Sequence, residues 1–470
     1  MLVALSETGY FRLYGSAILE LERRGWEVVL VYDRPGKRGG AEIPPGAGPG
    51  VRSAGAIPDG GQEGALATLR TALDYIRYLE PRFAAAVYLR RRSEKMLPPS
   101  LGWLTRVRRL PQVAVSSAIG LLRVVERARP ADRATRQFVD AVAPDVVFVS
   151  PLVTAGPRGG PQTEVIKAAR AAGIPTVVGV ASWDHLTSKG LLRLVPDAVT
   201  VWNDDQRREA IELHRIPSSR IVVSGAQSLD HWFERADPRA TTALRETLGL
   251  DPERPVVLFV GSSRNMAPGT SEIGFVERWV RALRAAPADA VRGAQILVRP
   301  HPSNVDQWQR ADAGGMGVTL HPLGYSGIPM SDAEVETFRH SMLMSAAVVG
   351  VNTTAMIEAA ILQRPVLTVR DGDFSHSQAE TLHFKHLATP DHGCAVVASN
   401  LEEHVAQLAH VLTDPADALT KNRRFVERFV RPLGIDRPAT NALCDAIERV
   451  AAQAGASHPS MTRHYTEMEI

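Results

Sequence analysis

The stretch AAVVGVNTTAMIEAAILQRPVLTVR, residues 346–370, decides the fold class. Two short apolar runs, AAVVGV and PVLTV, flank NTTAMIEAAILQ, which reads as a helix. Runs that never alternate with polar residues are strands buried on both faces, and such strands belong to parallel sheets covered by helices. Parallel neighbours need a crossover, and the intervening helix supplies it.

The same pattern runs through the chain. VVLFVGS, QILVRP and GVTLHP precede this unit and CAVVAS follows it, with helical stretches between them. In the first half LVALS, WEVVLVYD, PDVVFVS (144–150), IPTVVGV (174–180), DAVTVW (197–202) and RIVVSG (220–225) are strand-like. An amphipathic helix spans Tyr14–Arg24 and is stopped by Gly25. The expected fold is α/β, with two doubly wound parallel-sheet domains joined near residue 250 and facing across a cleft. Expected boundaries are 1–235, a linker at 236–254, a second domain at 255–435, a C-terminal helix at 436–456 and a tail at 457–470. Residues 34–62 are rich in Gly and Pro and read as a loop.

Composition narrows the class. The chain has 470 residues, 44% hydrophobic and 22% charged, enough for two sizeable cores. Two distant cysteines, Cys394 and Cys444, fit a reducing cytoplasmic compartment. No signal peptide and no bilayer-length apolar run is legible, so a soluble protein is expected. Charge is uneven: residues 77–136 hold thirteen Arg and one Lys against four acidic residues, although the whole chain is only +3. This basic helical insertion of the first domain interleaves Tyr78, Phe83, Tyr88 and Trp103 with arginines. Its apolar face is either core or a surface for an anionic membrane. Nucleic acid is not expected, because no matching motif accompanies the charge.

Ligands of doubly wound sheets bind beyond the carboxyl ends of the strands, which selects four loops. GSSRN begins at Gly261, Ser262 and Ser263, small residues that let backbone N–H groups approach an anion. RPHP places Arg299, a forked cation, beside His301, a proton donor or acceptor near neutral pH. Asn352, Thr353 and Thr354 open a helix whose positive end suits phosphate, with Glu358 one turn on for ribose hydroxyls. Ordinary N-capping by Asn-Thr-Thr and a plain strand-ending turn at RPHP are the rival readings. The fourth loop, ASWDHLTSKG (181–190), puts Trp183, Asp184, His185 and Lys189 at a strand end of the first half. Asp371-Gly372-Asp373 matches a metal motif only formally, and His376, His383, His386, His392 and Cys394 have no zinc-like spacing and read as solvated loop residues.

These segments carry a family resemblance. RPHP is similar to the His-Pro motif of bacterial sialyl- and Kdo-transferases and of CDP-glycerol glycerophosphotransferases. NTTAMIEAAILQRPVLTV resembles the phosphate-helix segment of those enzymes and, more distantly, of non-hydrolysing UDP-GlcNAc 2-epimerases. GYFRLYGSAILELERRGWEVVLV resembles the opening unit of GT-B acceptor domains, and DAVTVWNDDQRREAIELHRIPSSRIVVSGAQSLD the end of such a domain. The resemblance implies a GT-B glycosyltransferase with two Rossmann-like domains, active in bacterial surface polysaccharide biosynthesis. It implies a nucleotide-sugar donor, a glycan or lipid-linked acceptor, no cofactor and no metal.

Donor-binding residues would be Gly261, Ser262, Ser263, Arg299, His301, Asn352, Thr353, Thr354 and Glu358. Catalysis would fall to His301 and to Asp184 or His185 as base. Gly9, Tyr10, Trp183 and Lys189 would meet the acceptor, Trp183 as a sugar platform. Gly350, eight positions before Glu358, breaks the Glu-x7-Glu pair of many retaining enzymes and points to inversion. SPLVTAGPRGG (150–160) lacks the carboxylate an epimerase would carry there. A CDP-glycerol-type phosphotransferase, an epimerase and a non-catalytic nucleotide-sugar-binding protein remain the alternatives.

Overall fold

The computed structural model describes residues 1–34, 42–58, 64–152, 160–269, 271–325 and 330–457. The chain divides into two compact units. The first comprises Met1–Arg77, Met96–Ser228 and the chain from Arg437 onward, and the second comprises Tyr78–Lys95 and Leu229–Asp436.

The first unit holds seven parallel strands in the order β3-β2-β1-β4-β5-β6-β7. They are β1 Leu2–Glu7, β2 Val28–Arg34, β3 Val51–Ala56, β4 Val147–Ser150, β5 Thr176–Gly179, β6 Ala198–Val201 and β7 Ile221–Val223. Alternate side chains enter two cores, one on each face. Leu2, Ala4, Val29, Val31, Val147 and Val149 join one cluster, while Val3, Leu5, Val28, Leu30, Tyr32 and Phe148 join the other. This double burial is why the runs read as continuous Val and Leu, and each buried side chain contributes about 1.5–3 kcal/mol.

The first helix spans Phe11–Arg23, three residues earlier at its start than the apolar pattern indicates. It ends as expected: Gly25 has φ +92°, its N–H donates to Glu22 O, and Trp26 N–H reaches back to Leu21 O. The last helix, Ala439–Ser457, returns to this unit and buries Leu443, Cys444 and Ile447 against Tyr14, Ala17 and Ile18.

The second unit holds six parallel strands in the order β10-β9-β8-β11-β12-β13. These are β8 Val256–Val260, β9 Gln295–Arg299, β10 Thr319–Leu320, β11 Ala347–Gly350, β12 Val366–Val369 and β13 Ala395–Ala398. All six fall where the sequence places them. Both sheets are α/β and doubly wound, with the order reversing beside β1/β4 and beside β8/β11.

Three expectations need correction. β3 lies inside the Gly- and Pro-rich 34–62 stretch, where VRSAGA has a single large apolar residue, Val51, and pairs at the sheet edge. The chain passes to the second unit at Leu229, and a helix, Pro238–Thr247, occupies the expected linker. The basic insertion is split: Tyr78–Lys95 clusters with the second unit, while Arg77 and the residues from Met96 stay with the first. The expected tail from 458 lies outside the described residues.

Candidate active site

In the second unit the carboxyl ends of β8, β9 and β11 meet at the reversal of strand order. Gly261 follows β8, and its N–H donates to Arg299 O at 2.9 Å. A Cβ there would stand 2.8 Å from His301 N, so only glycine lets the β8 and β9 loops touch. A Cβ on Gly350, at the end of β11, would stand 2.9 Å from Met356 Cγ and 3.1 Å from Val260 Cγ2.

His301 is half-buried, and its Nδ1 accepts from Ser303 N–H at 3.0 Å. An accepting Nδ1 leaves the proton of the neutral ring on Nε2, so His301 is set as an Nε2–H donor. Arg299 is 3% exposed. Its guanidinium stacks on Phe338 at 4.5 Å and donates to Glu334 O at 3.1 Å. Burial lowers its pKa to about 10, against the pull of Tyr325, Glu334 and Glu358, so it stays cationic at neutral pH. Arg299 and Glu358 are therefore electrostatic neighbours, although much of the Arg299 fork is already engaged.

The capping alternative is not realised at Asn352–Thr354. Thr354, the N-cap of helix Ala355–Ile361, makes no side-chain cap, and Asn352 Nδ2 donates to Ser377 O. Asn352 and Thr353 are buried, while Thr354 and Glu358 are partly exposed. Gln378 ties the following loop down by donating to Val351 O at 3.2 Å and Val369 O at 2.9 Å.

Sequence reasoning missed Glu272. It is fully buried beneath the β8 loop, where it accepts from Ser262 N–H at 2.7 Å and Trp308 Nε1–H at 3.3 Å. The Ser262 N–H, expected to face an anion, points to this carboxyl instead. In sequence Glu272 is only an acidic residue in the first turn of helix Ser271–Arg284, an ordinary helix-dipole position. Burial pushes its pKa up to about 8. The folded protein therefore holds this proton at pH values where the unfolded chain releases it. Stability should fall as pH rises from about 4.5 towards 8. Glu272→Gln is expected to remove that component, and Tm against pH for both proteins measures it.

In the first unit Asp184 follows β5, and both its oxygens are held by hydroxyls, Ser182 Oγ at 2.7 Å and Ser188 Oγ at 2.6 Å. His185 is buried, and desolvation lowers its pKa to about 4. Tyr10 follows β1 and feels the charges of Arg12, Glu7 and Asp184, although burial dominates and raises its pKa. Glu7, Tyr10, Arg12, Asp184 and His185 thus form one electrostatic cluster at the ends of β1 and β5. Glu7 and Arg12 were not picked out from sequence, although Glu7 is the last residue of β1.

Gly9 is buried in the turn after β1, and Lys189 is partly exposed. Trp183 is 4% exposed, so its ring is packed rather than presented as a sugar platform. The polar loop 150–160, which bears on the epimerase alternative, lies largely outside the described residues.

Part of the basic insertion supports the loop after β5, residues 181–190, from within. Arg123 donates to Leu192 O and His214 O, and Arg77 to Lys189 O. His214 Nδ1 accepts from Leu192 N–H at 3.0 Å while its Nε2 meets Leu186 O at 2.6 Å.

Elsewhere, the carboxylates of Asp371 and Asp373 both pair with Arg278, at 3.1 and 2.9 Å. Among the described residues no cluster of His, Cys, Asp or Glu has the arrangement to hold a metal ion. His383, His386 and Cys394 are not solvated as expected. All three are buried, and His386 packs on Phe429 at 5.3 Å.

No family model matches the chain. A UDP-N-acetylglucosamine–N-acetylmuramyl-(pentapeptide) pyrophosphoryl-undecaprenol N-acetylglucosamine transferase of Nocardioides sp. is 31% identical over 246 residues, 51% of this chain and 59% of that protein. The chain thus spans about three fifths of the length of the curated relative it matches. Among solved structures, a glycosyltransferase from Rickettsia africae aligns with TM-score 0.50 and 9% identity over 96% of this chain and 98% of its own. A protein described as a UDP-N-acetylglucosamine 2-epimerase from Listeria monocytogenes aligns with TM-score 0.50 and 13% identity over 100% and 99%. These likenesses show the fold, the two-sheet α/β arrangement of the GT-B class expected from the sequence.

Proposed function

We propose that the chain is a metal-independent, inverting glycosyltransferase that moves a sugar from a nucleotide-sugar to a glycan or lipid-linked acceptor in bacterial surface polysaccharide biosynthesis. One observation carries this reading: the β8 and β9 loops meet at His301, set as an Nε2–H donor, beside the reversal of strand order between β8 and β11. The second unit would hold the donor through Gly261, Ser263, Arg299, His301, Asn352–Thr354 and Glu358. Asp184, its carboxylate held by Ser182 and Ser188, is the proposed base.

In the reaction the acceptor oxygen bonds to the anomeric carbon, and the bond from that carbon to the phosphate oxygen breaks. Negative charge then grows on the nucleoside phosphate. His301 and Arg299 stabilise that charge, and Asp184 takes the acceptor proton. The partial match to a transferase whose name specifies a pyrophosphoryl-undecaprenol substrate supports a lipid-linked acceptor. Turnover of a panel of UDP-, GDP-, CDP- and CMP-linked sugars beside CDP-glycerol tests the reading. Turnover of CDP-glycerol alone would replace it with a glycerophosphotransferase, and donor binding without turnover on any acceptor would make the protein a non-catalytic binder.

Location at the inner face of the plasma membrane belongs to the same proposal. No helix among the described residues is long and apolar enough to cross a bilayer. Helix Gln112–Ala128 instead exposes Val113, Leu121, Val124 and Val125, with Trp103 exposed on the preceding turn. Arg106, Arg108, Arg109, Arg127 and Arg129 flank them, exposed. Apolar residues ringed by cations suit an anionic headgroup layer, with about 1 kcal/mol from each Lys or Arg near the surface. Flotation with vesicles rich in phosphatidylglycerol is expected to carry the wild-type protein, and L121S/V124S to lose most of it. Equal flotation of both would remove this face from the proposal.

A further inference from the structure

The segment Tyr78–Lys95 stands between two parts of the first unit in sequence, yet it clusters with the second. Tyr78, Leu79, Phe83, Ala86 and Leu89 are all buried, and Tyr78 meets Phe83 edge-on at 5.2 Å. Its helix, Val87–Glu94, places Tyr88 against two of the strand-end loops described above. The Tyr88 hydroxyl donates to Asn265 O, in the loop after β8, at 3.3 Å. The Tyr88 ring meets the His376 ring edge-on at 5.4 Å, in the loop after β12.

Helical periodicity puts Arg91, Arg92 and Lys95 on the face that carries Tyr88, at three, four and seven positions on. Arg91 and Lys95 are exposed, Arg92 partly so. Arg90 belongs to another part of the helix and is 3.2 Å from Glu94 Oε1. A cationic strip is therefore latched by Tyr88 beside the Gly261–Asn265 loop.

Much of the Arg299 fork is spent on Glu334 and Phe338, and the Ser262 N–H on Glu272. The β8 and β9 loops therefore offer a diphosphate fewer uncommitted donors than their sequence suggests.

We propose that helix Val87–Glu94 is part of the nucleotide site: Tyr88 seats it on the β8 and β12 loops, and Arg91 and Arg92 neutralise the phosphates of a nucleoside-diphosphate donor. The inference rests on the nucleotide-sugar reading above but adds a binding element from the other half of the chain. A guanidinium on phosphate forms charge-assisted, often bidentate, bonds that lysine replaces only in part.

The test is equilibrium binding of UDP, GDP and CDP to the full-length protein at low and high salt, with R91A/R92A, R91K/R92K and Y88A beside the wild type. For the nucleotide that binds, R91A/R92A is expected to lose roughly tenfold or more in affinity at low salt and to show a flatter salt dependence. R91K/R92K should recover part of the loss, and Y88A should weaken binding without flattening the salt dependence. Tm of each variant reports on folding, and the salt dependence separates lost charge from a damaged fold. Wild-type affinity and salt dependence in R91A/R92A would overturn this inference and leave the transferase reading standing. Weaker binding with an unchanged salt dependence would also overturn it, assigning the arginines a structural role. Failure of the wild type to bind any of the three nucleotides would overturn this inference and leave the transferase reading to a CMP-linked donor.

Discussion

His301→Ala is expected to lower kcat about 10²–10³-fold, with a much smaller change in donor KM. The Nε2–H is set to donate because Nδ1 already accepts from Ser303 N–H, so the ring enters the reaction in one tautomer. Its partner oxygen gains charge only as the sugar–phosphate bond breaks, so the lost interaction belongs to the transition state rather than to donor binding. The change also removes the side chain that caps the turn Pro302–Asn304, at a cost of about 0.5–2 kcal/mol in stability. Tm should therefore fall by a few degrees only. His301→Gln keeps an N–H donor. Partial recovery of kcat would assign His301 a hydrogen-bonding role, and a rate as low as that of the alanine variant would assign it proton transfer. Unaltered turnover in His301→Ala would take the residue out of the mechanism.

Asp184→Asn is expected to abolish most transfer, about 10²–10⁴ in kcat, with little change in donor affinity. The two hydroxyls that hold the carboxylate fix its direction without removing its charge. Asparagine keeps the shape and one acceptor but cannot take a proton from the acceptor hydroxyl. Burial lowers the pKa of His185 to about 4, which weakens it as a base at neutral pH. His185→Gln should accordingly cost less than Asp184→Asn when kcat is measured at neutral pH. The reverse order would make His185 the base and Asp184 its positioning partner.

The strands and their end loops were legible because a parallel sheet writes itself as unbroken apolar runs. Val256–Val260, Gln295–Arg299 and Ala347–Gly350 could each be located from residue type alone, and with them the loops that surround His301. β3 was not legible, since an edge strand with Val51 as its one large apolar residue lacks that signature. What lies behind a loop was also hidden. Nothing in GSSRN announces that the Ser262 N–H is taken by a carboxyl ten residues on, nor that the Arg299 fork is shared with helix Asp332–Leu343. Trp183 illustrates the opposite failure, a bulky residue in a polar loop that tertiary packing buries. The basic stretch 77–136 was legible as charge but not as architecture. Arg77 and Arg123 turn inward to hold Lys189 and Leu192, Tyr88 latches onto Asn265, and Trp103 and Leu121 stay exposed. Composition cannot separate three fates that depend on which side of a helix each residue falls.

The loops at His301 are proposed to hold a nucleotide-sugar. Thermal shift of the full-length protein with UDP-, GDP-, CDP- and CMP-linked sugars tests it most directly, because a ligand that binds only the folded state raises Tm with concentration. Stabilisation by one nucleotide class is expected, by about 2.7 kcal/mol at a hundred times Kd, and is reduced in Thr353→Val/Thr354→Val. No stabilisation by any class would contradict it.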